Sequence, residues 1–292
     1  MKTNEIKERV RERYGKIAGS TGTSCCGGPV ETDDGSTLYT PSAEETCCSS
    51  APETALKADG YSMVGELYQG LEGHEQDADL GLGCGIPTRI AGIVPGETVV
   101  DLGSGAGNDA FVARAAVGET GRVIGVDFTQ QMVEKAREIA ARRGYGNVEF
   151  VQGDIEAMPL EDGIADLVIS NCVLNLVPDK PAAFREMYRI IKPGGRFCIS
   201  DIVIDGKLPP SVQASLEAYV GCVAGAMQRP DYLNALEATG FMDVRVEKEH
   251  SVDPPDSVLR GMFDTAVVEE YRASDASVTS VTVVGVRPVS TA

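Results

Sequence analysis

The sequence predicts an α/β fold, a doubly wound and mostly parallel seven-stranded sheet with helices on both faces. Three observations carry this reading. The apolar run Thr98-Val99-Val100 leads into the glycine-rich turn Asp101-Leu-Gly-Ser-Gly-Ala-Gly107, and a helical stretch opens at Asn108. Beyond the turn, strand-like and helix-like segments alternate, which implies parallel strands sandwiched between helices. Near the end, two alternating runs at 242–249 and 278–286 complete the sheet as an antiparallel pair.

The turn organises the rest. Glycine adopts left-handed torsions and lets a ligand lie against the main chain. Asp127 ends the next strand-like run, 122–126, and lies 26 positions after Asp101. That is close to the roughly 20 expected for a carboxylate that binds ribose hydroxyls. The order Asp-x-Gly-x-Gly-x-Gly differs from the Gly-x-Gly-x-x-Gly that suits a pyrophosphate.

Composition narrows the functional classes. With 292 residues and 42% hydrophobic content, the chain is long enough for one large globular domain with additions. Its apolar runs fall short of the ~18 residues of a membrane span, and the start lacks a signal-peptide pattern, so a soluble cytoplasmic protein without membrane association is expected. A net charge of −18 argues against nucleic acid and against phosphorylated substrates. The eight cysteines read as thiols, not as a disulfide framework. His74 and His250 are the two histidines, and both read as surface residues.

In chain order, 5–18 forms a charged helix. Residues 19–58 are rich in Ser, Thr, Gly, Pro and acids and read as loop. Cys25-Cys26 and Cys47-Cys48 punctuate that loop; adjacent cysteines depart from the Cys-x₂₋₄-Cys spacing of a four-thiolate zinc site, which favours a thiol relay for a soft ion over zinc and leaves unstructured chain as the alternative. A short helix at 61–68 precedes the irregular loop Asp79-Leu-Gly-Leu-Gly-Cys-Gly-Ile-Pro87, which carries Cys84 between glycines. The helix 130–143 presents Met132, Val133, Ala136 and Ala140 on one side. The strand 147–152 ends at Asp154, Ile155 and Glu156, where an acid and its neighbours can reach an adenine amine.

Strand 165–170, helix 181–191, a turn at 192–195 and strand 196–203 follow. Helices are expected at 211–226, broken by Gly221 and Gly225, and at 230–239, with a helical insertion at 254–275. The organisation is therefore 1–60 as an N-terminal helix and Cys-rich segment, 61–205 as the core, and 206–292 as a helical cover with the completing strands. Cys172 follows strand 165–170 and so lies at the mouth of the crevice. Cys222 sits on the expected glycine-broken helix, which could fold over that mouth. Cys198, in mid-strand, reads as a small buried hydrophobe.

Three thiols on separate loops that could converge on one mouth, together with the turn, make the chain resemble the arsenite S-adenosylmethionine methyltransferases of the class I, Rossmann-like superfamily. The segments that carry the resemblance are Gly83-Cys84-Gly85, 101–109, Gly125-Val-Asp127, Ile169-Ser-Asn-Cys-Val-Leu-Asn-Leu-Val-Pro-Asp-Lys180, Lys192-Pro-Gly-Gly195, Ser200-Asp-Ile-Val203 and Gly221-Cys-Val-Ala-Gly-Ala226. The resemblance implies Cys172 and Cys222 as arsenic-binding thiolates, Cys84 as the third catalytic cysteine, and Cys47 or Cys48 as a further relay thiol. It implies S-adenosylmethionine held by Asp101, Gly103, Ser104, Gly105, Gly107, Asp127, Phe128, Met132, Asp154, Ile155 and Asn171. Leu82 and Gly221 depart from the family, some members having an aromatic residue and an acid at those positions.

The implied reaction suits these elements. Trivalent arsenic is thiophilic, and its lone pair is the nucleophile toward a sulfonium methyl, so alignment matters more than a general base. An external thiol reductant, thioredoxin or glutathione, would reopen a Cys84–Cys172 disulfide after each transfer. Arsenite or its thiol conjugates and a thioredoxin-type protein are the expected partners of a monomer. Two other readings compete: a class I methyltransferase acting on another small molecule such as a quinone, and a non-catalytic metalloid-binding protein. The low aromatic content, 5%, with no tryptophan, disfavours a large apolar substrate pocket.

Overall fold

A computed structural model describes residues 3–19, 30–31, 37–38, 68–213 and 225–289. Cys25, Cys26, Cys47, Cys48 and Cys222 lie outside the described residues, as do all but Tyr68 of the expected 61–68 helix and most of the expected 211–226 helix.

Seven strands form one sheet: β1 (Thr98–Leu102), β2 (Arg122–Asp127), β3 (Val148–Gln152), β4 (Ala165–Asn171), β5 (Ile191–Asp205), β6 (Met242–Val252) and β7 (Ser277–Val286). Their spatial order is β3-β2-β1-β4-β5-β7-β6. The first five are parallel, and β7 runs antiparallel to both β5 and β6. The chain reverses its direction of sheet growth between β1 and β4, and a crevice opens beyond the carboxyl ends of strands at such a switch point.

The helices are α1 (Thr3–Gly19), α2 (Pro87–Ile90), α3 (Asn108–Val117), α4 (Gln130–Arg143), α5 (Lys180–Ile190), α6 (Pro210–Gln213), α7 (Arg229–Ala238), α8 (Asp256–Met262) and α9 (Thr265–Ala273). On α4 the apolar positions recur at helical spacing, so Met132, Val133, Ala136 and Ala140 are buried against one sheet face together with Phe111 of α3. Phe184 and Met187 of α5 pack with Tyr232 and Leu236 of α7 on the other face. Asp179 caps α5 by accepting from Ala182 N at 3.0 Å. No described helix is long and apolar enough to cross a membrane.

One element differs from the sequence reading. Lys192-Pro-Gly-Gly195 is not a turn before the strand but lies inside β5, between the pairs Ala165↔Ile191 and Leu167↔Arg196. The segment bulges out of register, with Gly194 at φ 84°, and its backbone groups are satisfied: Gly194 N donates to Arg287 O and Arg287 N donates to Gly195 O, both at 2.8 Å. The expected insertion at 254–275 is a pair of helices, α8 and α9.

The loop carrying Cys84 is seated on the sheet by close approach. A Cβ on Gly83 would lie 2.7 Å from Asn171 Nδ2, and one on Gly85 would lie 2.5 Å from Ser200 Oγ on β5. Real side chains do not approach so closely, so glycine at both positions is what lets the loop sit down. Gly85→Ala is expected to destabilise the protein by about 1–3 kcal/mol through overpacking. The check is a lower urea midpoint at unchanged slope.

Candidate functional site

The carboxyl ends of β1, β2 and β4 open into a crevice of about 910 Å³, walled on the outside by α1. Asp101, Gly103, Ser104, Gly105, Asp127, Phe128, Met132, Asp154, Ile155, Asn171 and Cys172, all expected from the sequence, line it. Gly107 does not. It takes φ 96° as the N-cap of α3, and a Cβ there would meet Phe150 and Phe111, so it serves packing beneath the crevice. His74, read from the sequence as a surface residue, also lines the crevice, stacks on Tyr68 with centroids 6.1 Å apart and pairs with Asp79 at 3.1 Å.

The crevice is built around buried carboxyls. Asp101, Asp109 and Asp127 are each at most 8% exposed. Burial pushes all three carboxyl pKa values up. The charge of Asp109 pushes Asp101 further up, well above the usual range, whereas hydrogen bonds from Asn171 and Tyr68 limit Asp109 to about 6. Asp127 holds the glycine turn, accepting from Gly105 N at 2.9 Å and from Thr129 N at 2.8 Å. By contrast, Asp101 Oδ2, Ser104 Oγ and Asn108 Oδ1 are buried without a partner among the described residues. Unsatisfied buried acceptors facing a cavity, with neighbouring carboxyls, fit a ligand that brings cationic and hydroxyl groups. S-adenosylmethionine, with its sulfonium, ammonium and ribose, matches this donor and acceptor set.

Asn171 at the end of β4 joins the crevice to the Cys84 loop. Its Oδ1 accepts from Cys84 N at 3.0 Å and Gly85 N at 3.3 Å. Its Nδ2 lies 2.8 Å from Gly85 O, 2.9 Å from Asp109 Oδ2 and 2.7 Å from the Tyr68 hydroxyl, two protons shared among three acceptors. The side chain is thus committed to the wall of the crevice, and it offers a ligand its surface, not its amide. Tyr68 closes the network at 2.8 Å from Asp109 Oδ2. Burial and the Asp109 charge hold its hydroxyl well above the usual range, so it remains a donor.

The next residue, Cys172, sits in the left-handed region at φ 59° and donates its N–H to Ser200 O at 2.8 Å. Such a conformation in a non-glycine residue is strained, and strain of this kind concentrates at functional sites. Cys84 and Cys172 carry no disulfide and are both buried, and their thiols approach the carboxylate of Asp201, all three ligand atoms lying within 4.8 Å of one another. Cys172 lines the crevice and Cys84 lies behind it. Cys198 is elsewhere, buried in β5, and burial pushes its thiol up to about 12. Such a thiol is inert at neutral pH.

The sequence reading missed Tyr68, Asp109, Asp201 and the crevice face of α1. Asp201 left a signal, an acid inside the apolar run of β5, where ionisable residues are rare unless paired. Lys7 of α1 pairs with Asp154 at 2.6 Å and with Glu156, which ties α1 to the rim, and Val10 and Tyr14 face inward. Asp154, expected at the adenine, is therefore also a rim clamp.

Residues 93–240 match the methyltransferase domain family. The chain is 37% identical to CrArsM, an arsenic(III) S-adenosylmethionine methyltransferase from Chlamydomonas reinhardtii whose crystal structure superposes with a TM-score of 0.61, covering 72% of this chain and 68% of that one. This chain belongs to the methyltransferase domain family, with the arsenic(III) methyltransferases. An arsenite methyltransferase of Halobacterium salinarum is 44% identical over 83% of this chain and 59% of its own length. The ubiquinone/menaquinone biosynthesis C-methyltransferase UbiE of Escherichia coli is 40% identical over 61% of this chain and 69% of its own. The chain thus spans little more than half the length of the Halobacterium relative.

Asp109 makes ligand binding pH-dependent with a definite sign. A cation in the crevice favours the ionised carboxylate, so binding releases a proton wherever the empty site is still protonated. Affinity for S-adenosylmethionine, measured by calorimetry, is expected to fall as pH drops through about 6, where Asp109 takes up its proton. Asp109→Asn is expected to flatten that profile.

Proposed function

We propose that this chain transfers methyl groups from S-adenosylmethionine to trivalent arsenic held by its thiolates. The observation that supports this reading over another methyl acceptor is the approach of Cys84 to Cys172 at the inner end of the crevice. Soft thiolates are the ligands that arsenic(III) takes. The UbiE relative keeps a second reading, a carbon acceptor, in view, but two converged thiols have no use in that chemistry.

S-adenosylmethionine, bound in the crevice, supplies an electrophilic methyl on a sulfonium. Asp101, Ser104 and Asn108 would satisfy its polar groups with the acceptors now lacking partners. Asp127 would reach the ribose, and Asp154 with Ile155 the adenine. Buried carboxyls favour the cationic cofactor over its neutral product, which promotes exchange after transfer. Cys172 would hold arsenic facing the crevice, with Cys84 behind it and Cys222 as a further thiolate. Arsenic carries no proton to be removed, so the residues need to align, not to act as a base.

Methyl transfer leaves arsenic formally pentavalent. Two electrons from the Cys84 and Cys172 thiols would return it to the trivalent state, leaving a disulfide between them. An external dithiol such as thioredoxin, or glutathione, would reopen it, which suits a reducing cytoplasmic compartment.

Arsenic speciation by chromatography with mass spectrometry tests the reading directly. Full-length protein given arsenite, S-adenosylmethionine and excess thiol is expected to yield methylated arsenic, and Cys172→Ser and Cys222→Ser to lose it. A folded, cofactor-binding wild type that forms none would sink the proposal.

A further inference from the structure

Asp201 stands beneath the two thiols with no part in methyl transfer as derived above. It is fully buried in β5, and burial pushes its carboxyl up to about 7. A carboxylate in such a place is costly unless a proton or a cation neutralises it. Its surroundings hold it as a ligand is held. Oδ1 accepts from Asn175 Nδ2 at 2.7 Å and from Ile202 N at 3.0 Å. Oδ2 has a 3.4 Å contact from the Tyr232 hydroxyl among the bonds described, and the charge of the nearby buried Lys180 offsets part of the burial cost. Hydrogen bonds to one oxygen fix the orientation of a ligating carboxylate and leave the other for a cation.

The geometry points to a site for a thiophilic divalent cation, zinc or cadmium, bound by Cys84, Cys172 and Asp201. Their ligand atoms lie within 4.8 Å of one another. Tetrahedral zinc with two sulfurs and one oxygen spaces those atoms by about 3.5–3.8 Å, so side-chain adjustments of about 1 Å close the shell. Two thiolates and a carboxylate carry three negative charges, which suits a divalent ion; the two thiol protons, and the Asp201 proton wherever the empty site still holds it, leave to solvent on binding. Neutral arsenite gains nothing from the carboxylate, so Asp201 separates the two ligands. Three protein donors leave the fourth tetrahedral position to water or to an added thiol. If the proposed arsenic chemistry holds, an occupied site withdraws both thiols from arsenic, and the cation acts as an inhibitor.

The test is cadmium binding without arsenite or S-adenosylmethionine, so it stands or falls apart from the methylation reading. Full-length protein with Cys25, Cys26, Cys47 and Cys48 changed to serine serves as the parent, which removes the N-terminal thiol pairs as competitors. Equilibrium dialysis is expected to show tight binding of cadmium by the parent, and each of Asp201→Asn, Cys84→Ser and Cys172→Ser is expected to weaken it about 10–100-fold. The cadmium NMR shift of the parent is expected in the range of mixed sulfur and oxygen coordination. Absence of cadmium binding by the parent, an Asp201→Asn affinity within twofold of the parent, or an all-sulfur shift would overturn the proposal. The shift is read on the parent alone, so it decides the question even if Asp201→Asn fails to fold.

Discussion

One carboxamide ties the two halves of the candidate site together. Asn171 leaves the end of β4, accepts from the backbone of Cys84 and Gly85, and donates within the Tyr68 and Asp109 network. The loop is anchored at Leu80, Leu82 and Ile86, but a glycine-rich segment between such anchors has little reason to hold one conformation by itself. Buried hydrogen bonds supply that reason, because leaving any of these groups unsatisfied costs about 1–3 kcal/mol. The glycines flanking Cys84 let the backbone come close enough for those bonds to form. Removing the amide would leave the loop held at Cys84 O by Ser280 and at Gly85 O by Tyr68, without the bonds that fix the Cys84 backbone to the end of β4.

Charge shapes the rest. The crevice gathers acids that lack nearby cations, and burial shifts their pKa values upward. The rim does the opposite, spending Lys7 on Asp154 and Glu156 to dock α1. An interior biased toward a cationic ligand and a rim closed by an ion pair give one crevice two functions, recognition inside and enclosure outside. Phe128, packed against Ile6 and Val10 with Arg11 over its ring at 5.3 Å, adds apolar contact to that enclosure.

Much of this was legible in the sequence, for local reasons. The strands and helices of the core follow from alternation and from helical spacing, and α4 runs over the residues its pattern predicts. Most residues that line the crevice were legible because they cluster at the turn and at strand ends. What was not legible depends on contacts between distant segments. Gly107 looks like part of the ligand turn until Phe111 and Phe150 are seen above it. Lys192-Pro-Gly-Gly195 reads as a turn, and Gly194 does take φ 84°, but Arg287, nearly a hundred residues later, provides the partners that keep the segment within β5 as a bulge. His74 and Tyr68 gain their place only through Asp79 and Asp109. Asp201 was visible as an acid in an apolar strand, but its neighbours come from two other loops.

The central claim is that the fold brings Cys84 and Cys172 into one site through Asn171. Mild oxidation of full-length protein followed by peptide mapping measures this directly. The account predicts a Cys84–Cys172 disulfide as the principal internal crosslink involving either residue, strongly reduced in Asn171→Ala. Crosslinks distributed among other cysteines, or an Asn171→Ala variant that forms the Cys84–Cys172 bond as readily as wild type, would contradict it.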